Sequence, residues 1–353
     1  MTSPTRPAPA MTAALRRAAV RAALAPSVHN TQPWRLVLRE RALEVHADRT
    51  RALPVLDPTG RQLVISCGCA VFNARVSLAA CGYATVVERP AGTAAGTLLA
   101  RILVEEPADP ELVRAALDED APAHLRDVLP ADQAHLASLD PLLELRRTNR
   151  RRFADDPVPE TLVAVLEEAA SAEGAELLPI RDPDDRVAIA VLCQRADAEQ
   201  NADPAYRAEL RAWTTDDPSR LDGVPAVAVP QNGPTSYDDV PIRDFDTTGA
   251  GGLPAATHSS LHQCLLLLGT EVDAQQDWLR AGEALERVLL EVTRHGFTAS
   301  PLTQVVEVPQ TRGLLRHRFG NMLFPDVLLR IGRAPATPAP RRRRLADVLE
   351  VDG

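Results

Sequence analysis

The chain has 353 residues, 45% of them hydrophobic, and a formal net charge of -9. That length suits two domains or one large duplicated domain. The acidic balance argues against a nucleic-acid partner.

The first predicted element is a helix over residues 11–25, with arginines on one side and Ala/Leu on the other, stopped by Pro26. Trp34 to Leu38 and Ala42 to Ala47 read as a hairpin of short strands. Residues 60–82 form a long apolar helical run. A strand is expected at Leu98–Glu105, then polar-faced helices at 110–118 and 135–147. No long apolar run reads as a membrane span, and the first ten residues hold no apolar signal core. Cysteines stand at 67, 69, 81, 193 and 264. Cys67-Gly68-Cys69 is too tight for a zinc pair, so all five read as reduced thiols. A soluble protein of the cytoplasm, with no membrane partner, is the expectation.

An internal repeat follows from two glycine pairs. GCAVFNARVSLAACGY starts at Gly68 and reaches Gly82-Tyr83; GEALERVLLEVTRHGF starts at Gly282 and reaches Gly296-Phe297. Both are helical in pattern and stop at glycine, and a later strand follows each, Leu98–Glu105 and Asp326–Ile331. The repeat predicts a first half over 11–140 and a second over 141–345. Residues 203–254, rich in Asp, Gly and Pro, carry little periodicity and read as a lid-like insertion.

Two segments can carry chemistry. Ala25-Pro-Ser-Val-His-Asn-Thr-Gln-Pro-Trp34 lies between a helix and a strand, with proline near each end. It can aim amides and hydroxyls at the edge of a heteroaromatic ligand, although Ser and Asn also suit an ordinary turn. Arg146-Arg-Thr-Asn-Arg-Arg-Arg-Phe153 concentrates charge that an anion would relieve. In a chain with no lysine it reads equally as a solvated arginine face. Arg341–Arg344 reads most simply as an exposed tail. His29 is a lone histidine in a turn, a structural hydrogen-bonder or a base. No nucleophile elbow, Walker loop or dinucleotide fingerprint is present.

At these segments the chain resembles the nitroreductase superfamily, closest to its Acg-like branch with two nitroreductase-like halves in one chain. APSVHNTQPW at 25–34 matches the family's APSxxNxQPW, and RRTNRRRF at 146–153 resembles its RRSxRxF with one extra residue. Residues 57–82 and 277–304 resemble the branch's two helical signatures. The resemblance implies an α+β fold of mainly antiparallel sheets flanked by helices, built twice as an intramolecular pseudo-dimer. It implies one composite FMN site, since each motif is intact in only one half, and no obligate dimer. Arg146, Arg147, Thr148 and Arg150, joined by Arg342, would hold the phosphate. Pro26, Ser27, Asn30 and Gln32 would line the ring, and Ser300, Pro301 and Leu302 would approach its edge. The implied activity is hydride transfer from NAD(P)H through FMN to a nitroaromatic, quinone or related small acceptor, with no catalytic side chain assigned. The alternative is a flavin-storage protein whose lid stays shut.

Overall fold

The hairpin forms as its sequence predicts. In the computed structural model, which describes residues 9–90, 96–105, 115, 130–230, 238–245, 253 and 263–351, β1 (Trp34–Leu38) pairs antiparallel with β2 (Ala42–Ala47). Alternation along β1 buries Trp34, Leu36 and Leu38 under helix α1 (Pro9–Ala22) and α2 (Arg61–Ala80). Strands β3 (Thr85–Glu88) and β4 (Leu98–Val104) complete the order β3-β4-β2-β1. The predicted helix at 110–118 falls almost wholly outside the described residues.

The predicted helix at 135–147 is shorter and earlier. Helix α3 spans Ala131–Ser138, and a 3-10 turn follows at Asp140–Glu144. Pro141 sits at the start of that turn, and its missing N–H prevents a continuous helix. Then come α4 (Glu160–Ser171), β5 (Glu176–Pro179), α5 (Pro183–Ala202) and α6 (Pro204–Trp213). Strand β6 (Cys264–Thr270), helix α7 (Gln275–Arg294) and strand β7 (Thr298–Leu302) follow. The short α8 (Gln304–Glu307), α9 (Pro309–Arg318) and β8 (Phe324–Gly332) complete the second sheet, ordered β7-β8-β6-β5. Among the pairings of these strands all are antiparallel except one. The C-terminal β9 (Leu349–Val351) crosses back and pairs parallel with β1 as a fifth strand of the first sheet. The fold is α+β, and its two sheets repeat one strand order: β1, β2, β3 and β4 take the places of β5, β6, β8's partner β7, and β8.

Helices α2 and α7 cross at the centre. α2 is buried along nearly its whole circumference, as an all-round apolar helix must be. By length and hydropathy it could cross a membrane, contrary to the reading of its sequence; 83% of it is buried in the core, where it packs on α7 and α1. The crossing is possible because two glycines meet. A Cβ on Gly68 would lie 2.1 Å from the Leu279 carbonyl oxygen, and one on Gly282 would lie 2.0 Å from that of Ile65. The repeated glycines thus serve backbone contact between the helices that carry them.

Candidate functional site

The 25–34 segment forms a tight, strained turn. His29, Asn30 and Gln32 all have positive φ, at 49°, 55° and 51°. Left-handed backbone at three non-glycine residues is held only where the surroundings enforce it. Ser27 Oγ accepts from the Gln32 N–H at 2.9 Å and thereby closes the turn. The Gln32 amide donates to the Leu221 carbonyl at 2.8 Å and accepts from the Arg343 N–H at 2.8 Å. Asn30 donates to the Gly223 carbonyl at 3.2 Å and accepts from Arg342 Nη1 at 2.8 Å.

The arginine segment arrives from the other side. Thr148 makes a parallel bridge to Ala299 on β7, and the Asn149 N–H donates to the Ala299 carbonyl at 3.0 Å. That places 146–150 across from the turn. The space between is a cleft of two chambers that share Pro26, Ser27, Thr148 and Arg150. The two chambers enclose about 700 and 680 Å³ of empty space, open solvent included.

One chamber is cationic. Arg146, Arg147, Arg150 and Arg342 line it with Asn30, and no carboxylate does among the described residues. Arg146 Nε lies 3.3 Å from Glu286, yet Nε and Nη1 of Arg146 and Nε of Arg342 are buried without a hydrogen-bond partner. Burial, then the nearby Arg146, lowers the Arg342 guanidinium to about 9. Burial, then Arg243, lowers Arg150 to about 10. Such shifts mark a cluster of cations that an anion would stabilise.

The other chamber is flatter and mixed. Its floor is α2, through Gln62, Ile65, Ser66 and Cys69, with Pro301 and Leu285 beside them. His29 stands in its wall, buried, with both ring nitrogens unpartnered. Burial and the adjacent Arg243 and Arg150 hold that imidazole neutral well below its ordinary value. The roof comes from the described part of the predicted lid, through Ile242, Arg243 and Phe245. Phe245 meets His29 edge-on at 5.3 Å, and Arg150 lies 4.9 Å over the Phe245 ring. Arg243 beside it pairs with Glu307 at 2.6 Å. Below the roof, Arg51 pairs with Asp222 and lies 5.3 Å over Trp213.

Of the sequence-predicted residues, Pro26, Ser27, Asn30, Arg146, Arg147, Thr148, Arg150, Pro301 and Arg342 line the cleft. Gln32, Ser300 and Leu302 do not. Gln32 is fully buried behind the turn as a clamp, Ser300 is buried in β7 with its hydroxyl unpartnered, and Leu302 packs in a core with Leu265, Leu267, Val305 and Leu328. Alternation along β7 is the reason: of 300, 301 and 302 only Pro301 faces the ligand space. Arg342 leaves the expected exposed tail and is half-buried, bonded to Asn30 and to the Leu24 and Ala25 carbonyls. Sequence reasoning missed Gln62, Ser66 and Cys69, although spacing of four and three residues puts them on one face of an apolar helix. It also missed Arg243 and Phe245, which no local pattern marks.

No family model matches the chain. Over 331 residues it is 34% identical to the Mycobacterium tuberculosis protein Rv3131, named as an NAD(P)H nitroreductase, covering 92% of this chain and 88% of that one. It is 29% identical over 338 residues to the M. tuberculosis protein named NAD(P)H nitroreductase acg, covering 93% and 92%. Among solved structures, the FMN-dependent nitroreductase NfnB of Mycobacterium smegmatis in complex with NADPH is similar at 16% identity and a TM-score of 0.37, covering 62% of this chain and 100% of that one.

Proposed function

This chain belongs to the nitroreductase superfamily, in its Acg-like branch, and from that premise we propose that it is an FMN-binding oxidoreductase of the cytoplasm. NAD(P)H is its reductant, and a nitroaromatic, quinone or related small molecule its acceptor. One observation carries the reading. The APSVHNTQPW turn and the RRTNRRRF segment converge on a cleft that no described carboxylate lines, cationic at one end and amide-rich and apolar at the other.

The residues fit the cofactor. The unpartnered nitrogens of Arg146 and Arg342, with Arg147, Arg150 and the Thr148 hydroxyl, suit a phosphate dianion. Pro26, Ser27, Asn30 and the α2 floor suit the ring. Bound FMN would supply the two-electron chemistry between reductant and acceptor. The chain's own residues supply position and charge. Arg150 spans both chambers and can stabilise negative charge in either. Arg243 has its charge answered by Glu307, and the neutral His29 adds none. Phe245 and the 214–230 loop limit water at the roof. No described carboxylate stands in the cleft to act as an acid, so no catalytic side chain is assigned.

The repeated strand order and glycine spacing support reading 11–140 and 141–345 as two halves of a tandem duplication, with 203–254 inserted as a lid. Both site segments then come from one chain, and no second chain is required. None of the five cysteines is in a disulfide, as a reducing compartment would leave them.

The test is the absorbance of the purified protein, followed by NADPH under anaerobic conditions. A yellow protein that bleaches is expected. A yellow protein that resists NADPH and NADH alike would indicate flavin holding without turnover. A colourless protein that takes up no added FMN would overturn the proposal.

A further inference from the structure

A separate cavity of about 770 Å³ opens beyond Gln62, whose side chain stands in the wall of both it and the ring chamber. Three guanidinium groups line it: Arg61 at the start of α2, and Arg312 and Arg316 on α9. Asp57, Asp273 and Glu307 line it too. Two of those carboxylates are already answered. Asp273 takes both ends of Arg312, at 2.6 and 3.0 Å, and Glu307 takes Arg243. Asp57 accepts from the Leu63 N–H at 2.9 Å, and burial raises its pKa toward the neutral acid.

Arg61 and Arg316 have no such answer. Arg61 is only 8% exposed; it donates to the Val306 carbonyl, and its Nε is buried without a partner. Burial, then the neighbouring Arg312, lowers its affinity for its proton, against the attraction of Asp326, Asp273 and Asp57. Arg316 lies flat on Phe324, 3.7 Å from the ring centroid, and its Nε is likewise buried and unpartnered. No carboxylate lies within ion-pair distance of either among the described residues. A buried guanidinium with unfilled donors is costly unless an acceptor reaches it.

Gly313 adds an independent observation. It sits in the middle of α9 and lines the cavity, where glycine weakens a helix by roughly 1 kcal/mol relative to alanine. No close approach accounts for it, because a Cβ built there would meet nothing within 4 Å. Gly313 is exposed, so the open space beside it is at the solvent-facing mouth of the cavity, between Arg312 and Arg316 in sequence.

We propose that this cavity is a binding site for a small phosphate group, gripped by Arg61 and Arg316 with Arg312 held in place by Asp273. Guanidinium forks match phosphate oxygens, and the forks of Arg61 and Arg316, neither in an ion pair among the described residues, stand on the cavity wall. The site stands apart from the flavin cleft, and its occupancy does not depend on flavin. The phosphate is either free or carried on a nucleotide such as the ribose 2′-phosphate of NADPH.

Calorimetric titration of inorganic phosphate and of 2′-AMP into the purified protein tests this, with flavin content read separately from absorbance. Binding of at least one probe to the wild type is expected. Arg316→Ala removes a stacked side chain that has no ion pair, and should weaken binding by roughly tenfold or more. Gly313→Asp fits the open space and should abolish binding by placing a carboxylate there, while the unfolding temperature shows that the chain still folds. Tighter binding of 2′-AMP assigns the site to a nucleotide phosphate; equal or tighter binding of inorganic phosphate assigns it to the free ion. Failure of the wild type to bind either probe overturns the proposal, as does binding that neither substitution weakens. Flavin content unchanged in the variants would separate this result from any failure of the flavin reading.

Discussion

Replacing Arg147 with alanine separates a phosphate grip from a solvated arginine face. The structure makes this residue the cleanest of the cluster. Arg147 is half-buried, and its Nη1 donates to the Arg146 carbonyl at 2.7 Å. Among the described residues it makes no ion pair, so its removal strands no described buried carboxylate. Folding stability should therefore change by only about 0–1 kcal/mol. A lost charge-assisted contact to phosphate is worth roughly 1.5–3 kcal/mol, or about ten- to a hundredfold in FMN affinity. Arg342 would be a poorer probe, because it also holds Asn30 and the Leu24 and Ala25 carbonyls. The assay is fluorescence titration of flavin-stripped protein at fixed salt, with FMN and with riboflavin. Riboflavin lacks the phosphate, so its weaker binding should hardly change. Equal losses for both ligands, or none for either, would remove Arg147 from the phosphate site.

Gly282→Ala should destabilise the fold by roughly 3 kcal/mol or more in denaturant unfolding, because its Cβ would lie 2.0 Å from the Ile65 carbonyl oxygen; a variant as stable as wild type would mean that the helices cross elsewhere. Gln32→Leu should cost about 1–3 kcal/mol and speed hydrogen exchange over 214–224, since the amide clamps Leu221 and Arg343; unchanged exchange there would show that other contacts hold the roof. Burial raises Glu286 from 4.5 to about 7, against the opposing effect of Arg146, so the native state keeps a proton that the unfolded chain releases. Wild-type stability should thus fall as pH rises from about 4.5 through about 7, Glu286→Gln should escape that fall, and parallel stability curves would refute the assignment. Heat-released flavin divided by chain concentration should approach one.

What the sequence made legible was local. The hairpin's two short runs, Trp34–Leu38 and Ala42–Ala47, were readable around their turn, and both strands form over those residues. Residues 60–82 are apolar on every face and become the central helix. The missed strands lack such a pattern. Cys264–Thr270 is a continuous apolar run, which periodicity cannot tell from a helix. β5 has four residues, and β9 has three that gain their structure from partners more than 300 positions away. The same holds for the cleft. Motif and turn were readable one at a time, but Arg342 reaches Asn30 across 312 positions and Asn30 reaches Gly223 across 193. Phe245 and Arg243 owe their places to those long-range contacts, so no window of sequence contains their roles.

The proposed duplication offers a second place for a cleft, and what fills it bears on stoichiometry. Gly68 and Gly82 lie 214 positions before Gly282 and Gly296. The same offset carries Gln62, Cys69 and Thr303 of the cleft to Gln276, Glu283 and Arg89. Those positions are closed on each other. Arg89 grips Glu283 at 2.6 and 2.9 Å, and Gln276 donates to the Arg89 carbonyl at 2.7 Å. Arg75 pairs with Glu283 and Glu173, and Glu173 also takes Arg287 at 2.7 Å. Glu283 is fully buried, so a ligand entering here would have to part it from two arginines. Breaking a buried pair leaves an uncompensated charge worth roughly 3–5 kcal/mol. Where the cleft has open donors, its counterpart has ion pairs that already satisfy one another. A flavin-to-chain ratio near one follows from that difference, and a ratio near two would mean that the ion cluster yields to a ligand after all.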